Sequence, residues 1–156
     1  MPARAALEEQ ADLSTRLVGL PCTQVSLGIA ETLIIDFGEL EPGPDGQMTG
    51  AFVLAVDCPW RIDGHDLPAV GWEDEEEDIA HLSTVLIGGS VEEVEVRRPG
   101  FDLIVQFSSG HRLRVFPDCR AYYSDEMSGG VLPWQLVGRA ALGALQEVES
   151  SGDSTV

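Results

Sequence analysis

Apolar and polar positions alternate with a period of two over several short stretches, the pattern of strands with one buried face. Val94 and Val96 alternate with Glu93, Glu95 and Arg97. Leu103, Val105 and Phe107 take every second place within 102–107, and Leu113 and Val115 alternate with Arg112 and Arg114. Pro99-Gly100 and Ser108-Ser109-Gly110 separate these runs and predict turns. Upstream, 80–88 has the spacing of a short amphipathic helix. It follows the run Glu73-Asp74-Glu75-Glu76-Glu77-Asp78, whose charge suits a helix N-terminus, and it ends at Gly88, where a left-handed cap is expected.

This grammar occurs twice. Residues 11–19 (ADLSTRLVG) and 80–88 (AHLSTVLIG) share six of nine positions at an offset of 69. Val25 and Leu27 then align with Val94 and Val96, and 33–37 (LIIDF) with 103–107 (LIVQF). Residues 54–56 align with 113–115, and Pro59-Trp60-Arg61-Ile62 with Pro133-Trp134-Gln135-Leu136. Five matches in order predict a tandem duplication over about 7–66 and 76–137. Each copy reads as a short helix, three strands and a fourth strand starting at its Trp. The first copy has a longer hairpin loop, Glu39–Thr49, containing Pro42-Gly43-Pro44-Asp45-Gly46.

A lone meander leaves one apolar face bare, and the second copy can cover it. The expected fold is therefore mainly β (α+β): two meander units forming a pseudo-two-fold sandwich or flattened barrel. A short helix precedes each unit, and a C-terminal helix follows over Arg139–Glu149. One domain spans 1–149, with a disordered tail at 150–156.

Charge adds to this picture. The chain has 156 residues, 27 acids and nine cations, all Arg, for a net charge of −18. Residues 1–78 carry 17 acids and three Arg, and the stretch 97–120 is locally basic. So acidic a chain is poorly suited to gripping nucleic-acid phosphates. No apolar run reaches the roughly 20 residues of a membrane span, and the N-terminus lacks the apolar centre of an export signal. Cys22, Cys58 and Cys119 are an odd number with no CxxC pair, which points to reduced thiols in a cytoplasm. The Lys-free, Ala/Gly/Arg-rich usage fits a GC-rich bacterial coding bias.

Motifs for chemistry are lacking. Gly88-Gly89-Ser90 leads into a strand rather than a P-loop helix, and neither GxSxG nor HExxH occurs. His65, His81 and His111 have no metal-site spacing, and the acidic run lacks the alternation and central Gly of a calcium loop. No cofactor, metal site or catalytic residue is expected.

Two surfaces remain as candidates. Arg112 and Arg114 project from one strand face, with Arg97 and Arg98 near the end of the preceding strand. They form either an anion-binding patch or ion pairs with Glu92, Glu93 and Glu95. The carboxylates of Glu73–Asp78 would instead attract a basic protein partner. The alternative function is a small-ligand site or enzyme cleft between the copies, lined by Trp60, Arg61, Trp134 and Gln135. A duplicated chain mildly favours a monomer, because the second copy does the work of a dimer partner.

The repeated pattern Leu-x-Gly, then Asp102-Leu103-x-Val105-x-Phe107, then Gly110-x-x-Leu113-x-Val115-Phe116, closing in Pro133-Trp134, resembles small acidic bacterial proteins of unknown function, of the immunity-protein type. These are packing and turn residues, so the resemblance implies a fold and carries no catalytic residue across. It implies a non-enzymatic interaction module.

Overall fold

Helix α1 (Pro2–Ser14) runs on into a 3-10 turn at Thr15–Leu17. Leu7, Ala11, Ser14 and Leu17 are buried at helical spacing, so one stripe faces the core. Helix α2 (Glu76–Leu82) and its 3-10 turn (Ser83–Leu86) bury Ile79, Ser83 and Leu86 in the same way. The two buried serines donate back to the helix, Ser14 Oγ to Ala11 O (2.7 Å) and Ser83 Oγ to Ile79 O. Both segments then pass through a glycine in the left-handed region, Gly19 (φ +90°) and Gly88 (φ +93°). A Cβ would meet nothing within 4 Å at either position, so the backbone conformation alone calls for glycine. The computed structural model describes residues 2–66, 68–118 and 132–141.

Eleven strands follow in these residues: β1 (Cys22–Leu27), β2 (Leu33–Phe37), β3 (Glu41–Pro42), β4 (Met48–Thr49), β5 (Phe52–Val56), β6 (Trp60–Asp63), β7 (Pro68–Gly71), β8 (Val91–Arg97), β9 (Asp102–Phe107), β10 (Arg112–Val115) and β11 (Trp134–Gly138). The chain is mainly β, as its alternating pattern predicts. A strand begins at each of the two aligned tryptophans. The Gly/Pro-rich loop contains the small β3–β4 ribbon.

The strands form a four-stranded sheet of order β1-β2-β5-β11 and a five-stranded sheet of order β7-β6-β10-β9-β8. All pairs are antiparallel. β6 follows β5 in the chain but pairs with β10, whereas β11 pairs with β5. In the first sheet Val25 faces Ile35, Ile35 faces Leu54 and Leu54 faces Leu136. In the second, Val94 faces Val105, Val105 faces Leu113 and Leu113 faces Ile62. β1 and β8 each carry a bulge near the start, at Cys22/Gln24 and Val91/Glu93.

Reciprocal backbone bonds join the starts of β1 and β8. Gly19 N–H donates to Val91 O (2.7 Å) and Gly88 N–H to Cys22 O (3.0 Å). Cys22 N–H donates to Gly89 O (2.9 Å) and Val91 N–H to Leu20 O (2.8 Å), and Pro21 and Ser90 form a bridge. The inward residues of both sheets share one core, in which Phe37 stacks on Phe107 with centroids 6.3 Å apart and ring planes 11° apart.

Polar groups inside this core are satisfied. Trp134 is wholly buried, and its indole N–H donates to Phe101 O (2.9 Å). Asp36, 3% exposed, accepts the Gly50 N–H at Oδ2 (2.9 Å). Burial pushes its carboxyl above the usual value, and the Gly50 bond opposes that rise. Gly50 is fixed by contact: a Cβ would lie 2.5 Å from Phe37 O.

Among the described residues no helix is long and apolar enough to cross a membrane. Residues 139–141 start a helical turn. The rest of the helix expected over Arg139–Glu149, the tail 150–156, Cys119 and Arg120 lie outside the described residues.

The Phe37–Phe107 stack predicts a large truncation effect. Phe107→Ala is expected to lower unfolding stability by about 3–5 kcal/mol, the usual cost of emptying an aromatic site in a core. The shift in denaturant midpoint measures it.

Candidate functional site

The acidic segment is positioned by the edge of the five-stranded sheet. β7 ends at Gly71, and Asp74 closes the following turn. Its Oδ2 accepts the Gly71 N–H (2.7 Å), while its own backbone N–H donates to Gly71 O (3.0 Å). Helix α2 starts two residues later with Glu76, Glu77 and Asp78 in its first turn, where the helix dipole favours negative charge. Glu73, Asp74, Glu75, Glu76, Glu77 and Asp78 are all exposed. Among the described residues the carboxylates of Glu73, Glu75, Glu76, Glu77 and Asp78 pair with no cation.

Trp72 sits directly before this run and is 47% exposed. Its backbone N–H donates to Trp60 O (3.0 Å), which ties it to the sheet edge while its ring stays open to water. Leu82, Val85 and Ile87, further along α2 and its 3-10 turn, are also exposed apolar residues. Trp72 and Trp60 both line a cavity of about 130 Å³, with Glu31, Thr32, Asp57 and Cys58 among the other walls. The sequence signal was adjacency: an aromatic next to six acids, flanked by apolar helix positions. Trp72 was missed because it lies outside both aligned copies.

The arginines separate into pairs. Arg97 Nε bonds Glu95 Oε1 (3.0 Å), as one reading of the basic stretch expects. Arg98 reaches Glu8 on α1, a partner 90 residues away that strand spacing could not indicate. The hydrogen bond and charge of Arg98 hold the Glu8 carboxyl below its usual value. Arg114 and Arg112 do share a face of β10, and β6 adds Arg61 beside them. Arg61 and Arg114 lie directly opposite each other across the ladder, and Asp63 bridges them, with Oδ1 at 2.6 Å from Arg61 Nε and Oδ2 at 2.8 Å from Arg114 Nε. Arg112 Nε donates to Gln106 Oε1 (2.7 Å).

A depression of about 580 Å³ lies over this face, lined by Arg61, Asp63, His65, Gln106 and Arg112. Small-molecule sites are mostly apolar with a few polar anchors, and these walls are charged and polar. The His65 and His111 rings stand 6.4 Å apart nearby, and His111 Nδ1 is 2.9 Å from Ser109 Oγ. Among the described residues no three His, Cys, Asp or Glu side chains are grouped to hold a metal ion.

The four residues proposed for a cleft are divided between the sheets. Trp60 and Arg61 are on β6, Trp134 and Gln135 on β11. Trp60 is 3% exposed, Trp134 is wholly buried and Gln135 is exposed. Cys22 and Cys58 are buried, and burial pushes the Cys22 thiol up to about 12, so it stays protonated at neutral pH.

The Arg61–Asp63–Arg114 bridge has a pH signature. Partial burial opposes ionisation of Asp63, but hydrogen bonds from Arg61 and Arg114 outweigh it and hold the carboxyl below 3.8. A depressed folded value adds stability that is present above pH 3.8 and is lost as pH falls below 3.8 through the lower folded value. Asp63→Asn is therefore expected to cost about 1 kcal/mol at pH 7, modest because the group is partly exposed. Denaturant midpoints of the two proteins should converge on acidification below pH 3.8.

The chain matches no family model, and neither a curated protein nor a solved structure matches it.

Proposed function

We propose that this protein is a non-enzymatic acidic interaction module of the immunity-protein type, whose partner is a basic protein. The carrying observation is the half-exposed Trp72 beside five carboxylates without a cation partner among the described residues. Aromatic anchors surrounded by polar groups supply much of the energy of protein interfaces. A net charge of −18 adds a long-range field that speeds encounter with a cation at low salt. The exposed apolar residues Leu82, Val85 and Ile87 extend the contact surface along α2.

The same reading covers the architecture. The chain is a tandem duplication about a pseudo-two-fold axis, in one domain, with each copy giving its fourth strand to the other copy's sheet. Three observations support it: the matched registers, the reciprocal Gly19/Gly88 bonds and the Phe37–Phe107 stack, all at positions that the aligned sequence pairs. Such a chain buries within itself what two single copies would bury as a dimer, which favours a monomer. The protein works in a bacterial cytoplasm, where its buried thiols stay reduced. A ligand cleft on Trp60, Arg61, Trp134 and Gln135 has less support, because Trp134 is wholly buried.

An arginine-rich peptide tests the proposal by titration at several salt concentrations. Affinity is expected to fall steeply with salt. Trp72→Ala should weaken binding about 10-fold or more, the effect of removing a contact worth about 1.4 kcal/mol. Changing Glu73, Glu75, Glu76 and Glu77 together to Gln should weaken it further, and Arg112→Gln should leave it unchanged. Equal binding by all variants, or no binding at low salt, would refute the reading.

A further inference from the structure

The cavity beside Trp72 has walls suited to one kind of group. We infer that it receives a single arginine side chain of the basic partner, with the guanidinium held between the indole of Trp72 and the carboxylates of Glu31 and Asp57. This inference rests on the proposed interaction function and adds the anchor residue of the partner.

Size is the first argument. The cavity volume is about 130 Å³. That is well below the roughly 300–1,000 Å³ of sites for drug-sized ligands, and it suits one inserted side chain. The second argument is chemistry. Trp72 and Trp60 supply aromatic wall, and Glu31 and Asp57 supply negative charge. A guanidinium is planar and weakly hydrated. It stacks on aromatic faces while its N–H groups reach carboxylates, whereas an ammonium is a compact and strongly hydrated charge. The Glu31 carboxylate makes no bond within the described residues.

The third argument is backbone strain. Ala30 (φ +58°) and Glu31 (φ +62°) are consecutive non-glycine residues in the left-handed region. Such conformations are costly and persist where the surroundings impose them, often at ligand clamps. Here the Gly28 N–H bond to Thr32 O (2.7 Å) closes the loop, and Thr32 Oγ1 donates to Asp57 Oδ1. The loop thus holds Glu31, Thr32 and Asp57 together at the cavity wall. The exposed acids of the α2 start lie next to Trp72 in the chain, so a cation drawn to that run arrives beside this cavity.

N-acetyl-L-arginine methylamide is the probe, followed through the Trp72 indole N–H resonance in proton–nitrogen spectra, assigned with Trp72→Phe. The expected result is a saturable shift that the citrulline analogue, of the same shape without the charge, does not produce. The lysine analogue should bind at least 3-fold more weakly. Glu31→Gln should weaken the arginine probe about 5-fold or more while leaving the thermal midpoint near that of the parent. An unmoved Trp72 resonance would overturn the inference, as would equal shifts from arginine and citrulline analogues or insensitivity to Glu31→Gln. Arginine-rich peptide binding separates the two failures. A silent probe with a Trp72-dependent peptide removes the pocket and keeps the acidic interface. A silent probe with no peptide binding removes both.

Discussion

The whole architecture depends on the hook between the starts of β1 and β8. Four backbone bonds and the Pro21–Ser90 bridge join these strands, and they form only because Gly19 and Gly88 take left-handed conformations. The hook sets where each meander begins, and the meanders set where their far strands lie. β6 then completes the five-stranded sheet and β11 the four-stranded one, so neither sheet is finished by a strand that follows its own third strand. Crossing twice between sheets puts both in one core, with Phe37 against Phe107 at the contact. An antiparallel meander with one apolar face is unstable alone, so this sharing answers the requirement that each sheet be covered.

The connection that leads from β6 to β8 contains the candidate site. After β6 the chain adds β7, turns at Gly71–Asp74 and starts α2 within the acidic run. This segment carries Trp72 and five carboxylates that pair with no cation among the described residues, and it borders the strained loop at Ala30-Glu31 through a shared cavity. Several of the arginines are held elsewhere: Arg97 by Glu95, Arg98 by Glu8, Arg61 and Arg114 by Asp63, and Arg139 by Glu41. These cations are thus drawn into pairs that brace the fold, while six contiguous exposed acids, 73–78, stand at one sheet edge.

Much of the strand content could be read from the alternation of residues such as Val94, Val96, Leu103 and Val105. The start of a strand at Trp60 and at Trp134 was equally legible, because the two Pro-Trp segments align. Strand partnership was not. Nothing local in Trp60–Asp63 says whether it extends its own meander or pairs with β10, since both choices bury Trp60 and Ile62. The same limit hid the Arg98–Glu8 pair, which joins residues distant in sequence. Trp72 fell outside both aligned segments, and the left-handed turn at Ala30-Glu31 uses residues that rarely adopt it, so no glycine marked it. The fold followed from periodic patterns, whereas the candidate site lies where those patterns break.

Hydrogen exchange with and without a bound arginine-rich peptide at low salt tests the account most directly, because it locates the contact on the chain. Added protection is predicted over 71–82 and over 28–32, with no change in β8, β9 and β10. Protection centred on the Arg112 and Arg114 face, or a bound peptide that protects no segment, would contradict it.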